Sequence, residues 1–293
     1  MIPLLLTLAP LAPAQLPSHE SANPLYKELL DPGLLVGPNL RAKLPPPSMP
    51  DGLDAARQTA VINQIIGNDY SYAEFTRKSV VAPQLLRIRD VQPSDPTAPA
   101  RGVDVYFVAH GDFAALDDEK FRSRLLEVGR GEGKGQALTA GQLAKRKITL
   151  TAEQQKHESY GFVEFDFLEK VRIRATGRAV WSKNPESLVA AGQIDPRFVG
   201  DPDFPDDWRS ISRGPGGVKV GPPHPWSGAG FYLKVTKLAQ PAGALFCEQH
   251  VVFAEPTGWF EGANLLRSKL PPVVQTNVRN MRREWAKMDK PRK

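Results

Sequence analysis

The feature that most constrains this chain is the run SYGFVEFDFLEKVRIRATGRAVWS at 159–182. Val163, Phe165 and Phe167 recur at every second position. After a break at Leu168-Glu169-Lys170, Val171, Ile173 and Ala175 do the same. Period two puts each set on one face of a strand, and Arg172, Arg174 and Thr176 fall on the other face. Two such runs across a short break predict a hairpin with one apolar and one wet side. GFYLKVTKL and ALFCEQHVVF, joined by AQPAG, predict a second hairpin at 230–253. LLRIRDV and VDVYFVAH add two more strands, the latter with Val103, Val105, Phe107 and Ala109 on one face. Consecutive hairpins imply an antiparallel sheet.

Helical periodicity sits mostly outside these strands. Residues 51–66, DGLDAARQTAVINQII, place Ala56, Ala60, Val61 and Ile65 at helical spacing behind a capping Asp51 or Asp54. A short helix is expected in ALDDEKFRSRLLEVG, and another after the Gly-rich stretch GRGEGKGQ. At the C-terminus, Val274, Val278, Met281, Trp285 and Met288 form one apolar stripe from Pro272 onward. Arg279, Arg282, Arg283 and Lys287 lie off it or at its flank. Leu265, Leu266 and Leu270 belong to a preceding turn, so a kink is expected at Pro271-Pro272. Helices at the ends of the chain, with strands grouped between them, give an α+β class.

The ends and the composition add bounds. MIPLLLTLAPLAPAQ is an apolar run closed by Ala12-Pro13-Ala14 and too short to span a bilayer. Residues 1–14 are therefore read as a signal peptide and the protein as exported, periplasmic or secreted. Residues 15–50 are rich in Pro, Leu and Ser and read as a linker or a strap over the domain. The domain proper is placed at 51–290, with an irregular insertion at about 183–228. Cys247 is the single cysteine, which excludes an intrachain disulfide and a cysteine-based zinc site. A formal charge of +6 would favour a peripheral approach to anionic lipid, but no nucleic-acid motif is present.

The C-terminal segment resembles a known family. Glu255, Gly258, Trp259, Asn264, Leu270, Pro271, Val278 and Arg282 are similar to the end of START domains, the steroidogenic-acute-regulatory-related lipid transfer domains. The resemblance is carried by residues 244–288; upstream it rests on element order alone. It implies a helix-grip fold, in which a curved antiparallel sheet grips a long C-terminal helix around a cavity for one hydrophobic small molecule or lipid. The inward residues on this reading are Phe107, Phe165, Ile173, Leu233, Val235, Val251 and Phe253 from the sheet, and Val274, Val278 and Met281 from the helix. The same residues would equally fill a solid core.

Other motifs were weighed for chemistry. His110 and Asp112 at a strand end form the best polar pair and carry the alternative reading, an enzyme on this scaffold. A further alternative is a non-catalytic, envelope-associated structural protein. The acidic loop with Asp195, Asp201, Asp203, Asp206 and Asp207 lacks the EF-hand spacing. GRGEGKGQ lacks the phosphate-loop spacing, and no Gly-x-Ser-x-Gly elbow occurs. His157, His224 and His250 have no partners at ligand spacing; Trp181, Trp208 and Trp226 read as anchors for loops. Cys247 and His250 fall on opposite faces of a strand, which counts against a thiol–imidazole pair. No metal and no cofactor is expected.

Overall fold

The computed structural model describes residues 18–37, 40–91, 100–128, 133–215, 217–226, 228–256, 259 and 265–288. The expected signal segment lies outside them. The strands in chain order are β1 (Leu34–Gly37), β2 (Leu40–Ala42), β3 (Gln84–Val91), β4 (Ala100–His110), β5 (Lys134–Ala137), β6 (Glu158–Phe167), β7 (Val171–Lys183), β8 (Ser187–Ile194), β9 (Asp207–Gly214), β10 (Gly217–Val220), β11 (His224–Pro225), β12 (Ala229–Lys237) and β13 (Ala244–Ala254). The helices are α1 (His19–Ala22), α2 (Pro24–Leu30), α3 (Ala55–Ile66), α4 (Tyr72–Phe75), α5 (Glu119–Val128), α6 (Ala140–Ala144) and α7 (Leu265–Met288).

One antiparallel sheet runs β10-β9-β7-β8-β12-β13-β4-β3. β6 pairs with the other side of β7, and β5 with β6. β7 changes partner along its length: Val171–Arg174 pairs with β9 and Gly177–Lys183 with β8. The sheet is open and α7 lies across it, a helix-grip arrangement.

Both expected hairpins form with their expected turns. In the first, Leu168 and Glu169 carry the chain back through φ of 51° and 61°, and the Lys170 N–H donates to the Phe167 carbonyl at 3.1 Å. Alternation in β4 separates two cores. Val103, Val105, Phe107 and Ala109 join the main one, while Tyr106 and Val108 face Ile62, Ile65, Ile66 and Phe75 of α3 and α4. Asp54, not Asp51, caps α3, accepting from the Arg57 N–H at 2.8 Å.

Two stretches differ from expectation. Residues 18–50, read as linker or strap, carry local structure of their own. Ser18 and Asn23 cap α1 and α2, with Pro24 in the first turn of α2, where its missing N–H costs nothing. Leu25, Tyr26 and Leu29 pack on the sheet face opposite α7, Tyr26 edge-on to Tyr232 at 5.1 Å. Residues 183–228, read as irregular, include a central strand. β8 is buried on both faces along Ser187–Ile194. Such a strand shows no alternation, and its Ala190, Ala191 and Gly192 are weak strand formers. Gly192 is required where it stands, because a Cβ there would meet the Phe231 ring at 2.6 Å.

The β1–β2 hairpin offers a test of how firmly the N-terminal region is docked. Gly33 sits at φ +93°, and a Cβ there would lie 2.5 Å from the Ala42 carbonyl oxygen, which is backbone and cannot rotate away. Gly33→Ala is expected to cost about 2–3 kcal/mol and to lower the melting temperature by several degrees. An unchanged melting curve would show that the hairpin is not held against the sheet.

Candidate functional site

The site is built by the placement of α7. Leu266, Leu270, Val278, Met281 and Trp285 are buried along it, and Val274 and Met288 are partly buried. The helix Leu265–Met288 is continuous through the two prolines at which a kink is expected. Pro271 and Pro272 are exposed, as are Arg267 and Ser268, whose carbonyls lose their helical donors. Water can satisfy those carbonyls on the outer face, which is the side where helix bonds lengthen in any case.

Arg282 holds this placement. Expected at a solvated flank, it is 4% exposed. Its guanidinium donates to the carbonyls of Val108 (2.8 Å), Ala82 (2.6 Å), Pro83 (2.8 Å) and Val80 (3.3 Å) and lies over the Phe107 ring. Burial pulls its pKa down to about 10. One turn on, Trp285 is fully buried and packs edge-to-face on Phe121 at 4.8 Å. Gly111 makes room for it, since a Cβ there would meet the indole at 2.7 Å.

Every cavity residue named from the sequence belongs to the main apolar core, which also takes in Leu25, Tyr26 and Leu29 on the opposite face. Phe107, Ile173, Leu233, Val235, Phe253, Val278 and Met281 are buried in it; Phe165, Val251 and Val274 pack against it and stay partly accessible. The main sheet contacts of α7 are with β3 and β4. Its first turns reach the β6–β7 hairpin, where Lys269 pairs with Glu169 at 3.0 Å. Trp259 is buried among Phe167, Trp208, Trp226 and Phe253, with ring centroids 5.3–6.1 Å away. Of the remaining family-matching residues, Glu255 pairs with Arg101, whereas Gly258 and Asn264 lie outside the described residues.

The polar candidates are placed as follows. His110 turns Nε2 to the Thr76 carbonyl at 2.8 Å. Asp112 accepts the Ala114 N–H at 2.9 Å and caps the turn Phe113–Asp117. Each ring or carboxylate is thus engaged by backbone. In the acidic loop, Asp201 and Asp203 share Arg146 at 2.5–3.0 Å, Asp207 pairs with Arg174, and Asp195 holds Arg197. Asp206 accepts the Thr176 N–H at 2.6 Å, and burial pushes its pKa up to about 8. Cys247 is fully buried, which pushes its thiol up to about 12, and His250 points to the opposite face. Trp181 stacks under the Arg122 guanidinium at 3.9 Å, and Trp226 donates to the Ala254 carbonyl.

The sequence reading missed a polar network on the face opposite α7. Across the register, Lys234 faces Glu248 and His250 faces Asp104. Glu248 accepts the N–H groups of Ser48 and Met49, Lys234 donates to the Met49 carbonyl at 2.6 Å, and Tyr232 donates to the Pro45 carbonyl at 2.8 Å. His19 lies 2.7 Å from both Ser182 and Ser187, and Asp51 accepts from Ser187, Asn184 and Lys234. The available signal was the set of charged residues in the middle of three apolar strands, Asp104, Lys234 and Glu248, with matching signs.

An open antiparallel sheet with a long terminal helix across it defines the helix-grip class of fold. No family model and no curated protein matches the chain. Among solved structures, it is similar to the human StarD13 (DLC2) lipid transfer and protein localization domain, at 6% identity and a TM-score of 0.39 over 69% of this chain and 90% of that one. An uncharacterized protein from Rhizobium leguminosarum is 11% identical, with a TM-score of 0.32 over 65% and 98%. Protein Ms6760 from Mycobacterium smegmatis is 8% identical, with a TM-score of 0.32 over 66% and 93%. Among the described residues no helix is long and apolar enough to cross a membrane.

The two buried histidines give the fold opposite pH dependences. Burial lowers His19 from 6.5 to about 4, so the unfolded chain binds that proton more readily and stability is lost as pH falls below 6.5. His250 is desolvated too, but its contacts with Asp104 and Glu248 outweigh this and raise its pKa. Its contribution is present below 6.5 and lost as pH rises through the folded value. His19→Gln should remove roughly 2 kcal/mol of the stability difference between pH 7 and pH 5. Urea midpoints at the two pH values report it, and an unaltered difference would contradict the placement of His19.

Proposed function

We infer that this chain is a binding module that holds a hydrophobic small molecule or lipid between the sheet and α7. The observation that carries the reading is an apolar sheet face that is not sealed throughout. The sheet presents apolar side chains from β4, β6, β7, β12 and β13 toward α7, and Phe165, Val251 and Val274 remain partly accessible. Sites for small molecules are mostly apolar, with few polar groups, as this face is. The mechanism is burial without chemistry. His110 and Asp112, each engaged by backbone, give no support to the enzymatic alternative. We further read the chain as exported, on the apolar run closed by Ala12-Pro13-Ala14.

Native mass spectrometry of the purified full chain tests the binding. The expected result is a population carrying a co-purified apolar mass that organic extraction removes. Val251→Trp, which fills the accessible part of the interior, should reduce rebinding of the extracted compound by about tenfold or more while circular dichroism stays that of the folded protein. Consistently empty protein, or rebinding indifferent to Val251→Trp, would remove the basis for this function.

A further inference from the structure

A cavity lies at the rim of the sheet, apart from the residues grouped beneath α7. Its volume is about 410 Å³. Three turns build it: the end of β4 with Gly111–Ala114, the β7–β8 turn with Lys183–Pro185, and the β12–β13 connection with Lys237, Leu238 and Gly243–Leu245. Phe113, Pro185, Leu238 and Leu245 give it apolar walls. Two ammonium groups converge on one ring there, Lys183 Nζ at 4.7 Å and Lys237 Nζ at 5.7 Å from the Phe113 centroid.

The charges of this cavity are incompletely matched. Lys183 is mostly buried, and the carboxylate it meets is Asp117, at 2.6 Å and two-thirds exposed. Asp117 reaches Lys183 from the solvent side, where an incoming anion can take its place. Among the described residues no carboxylate lies within ion-pair distance of Lys237; its Nζ has the Pro185 carbonyl at 3.3 Å, a long contact. Asp112 also lines the cavity, with Oδ1 turned to the Ala114 N–H. Holding two cations on one aromatic ring costs mutual repulsion, which an anion near both relieves.

We propose that this rim cavity binds a small amphiphile by its anionic end, a carboxylate or phosphate, with Lys237 and Lys183 on the charge and Phe113, Leu238 and Leu245 on the apolar body. The anion takes the place of Asp117 at Lys183. The volume suits a short acyl or aryl group, since small-molecule pockets begin at about 300 Å³. This site is independent of the interior beneath α7 and does not rest on the reading of that interior.

Calorimetry on the full chain tests the proposal with octanoate, octyl phosphate, octanol and inorganic phosphate. Octanoate and octyl phosphate are expected to bind, with affinity falling as salt rises, and octanol about tenfold more weakly. Lys237→Gln, at an exposed position, should weaken octanoate about five- to tenfold. Asp117→Asn, which frees Lys183, should tighten it several-fold, a gain that loss of folding could not mimic. Octanol binding as well as octanoate, or indifference to both substitutions, would overturn the proposal. Inorganic phosphate matching octyl phosphate would refute the role of the apolar walls. Octanoate binding lost in Val251→Trp but kept in Lys237→Gln would place the ligand under α7 instead, sinking the rim site while leaving the function of the interior intact.

Discussion

Arg282 carries its charge beneath α7 with carbonyl oxygens, and no carboxylate within ion-pair distance among the described residues, to balance it. An isolated buried cation is expensive, and four carbonyl dipoles repay that cost only if all of them are in place. They come from two segments, Val80–Pro83 ahead of β3 and Val108 within β4. A planar guanidinium with five donors can bridge both segments; a lysine ammonium, a point charge with three donors, could not match them in one plane. The side chain therefore fixes α7 in rotation and in register at once. A slide of one residue would strand the guanidinium and pull Trp285 out of the gap left by Gly111.

The two faces of the sheet are sealed by different chemistry. Toward α7 the contacts are apolar apart from Arg282 and the carbonyls it meets. Toward residues 18–52 they are polar at the centre, and the reason lies in the covering segment. Pro45, Pro46 and Pro47 have no N–H to offer, so this stretch cannot add to a ladder. The first donors after the prolines are the N–H groups of Ser48 and Met49, and Glu248 meets both. Lys234 then takes the Met49 carbonyl and Asp51, so each buried charge has a partner of opposite sign or a backbone dipole. Such networks are stable only when complete. Removing one member leaves another charge buried and alone, which makes the covering segment an integral part of the fold.

Legibility in the sequence followed the same division. The hairpins of β6–β7 and β12–β13 and the stripe of α7 were readable because one apolar face against one polar face leaves a period. β8 left none, being buried on both sides, and its alanines and glycine resemble a loop in composition. The prolines of α7 signalled a break because sequence does not reveal that they face solvent. Arg282 sits one step from Met281 on a helical wheel, and nothing in its spacing separates a side chain that curls into the sheet from one that reaches water. The residues named as inward all join the apolar core, since alternation and helical periodicity mark buried faces directly. The network around Glu248 and His19 was not, because its contacts join residues more than 130 apart in the chain, beyond the reach of any local pattern.

The distribution of contacts along α7 also ranks its two ends. The C-terminal half holds Arg282, Trp285 and the contact with Phe121, and Arg282 alone engages four backbone groups. The N-terminal half contributes Leu266 and Leu270 to the core, and an exposed pair between Lys269 and Glu169 at 3.0 Å. Exposed pairs contribute little, and the two prolines remove two helical hydrogen bonds from this half. Local opening is least costly where buried contacts are few, so displacing the first turns of α7 costs less than displacing its last turns. That end also adjoins the hairpin turn at Leu168-Glu169. The Arg282 end is therefore the fixed end of α7, and the helix loosens first at its N-terminal turns.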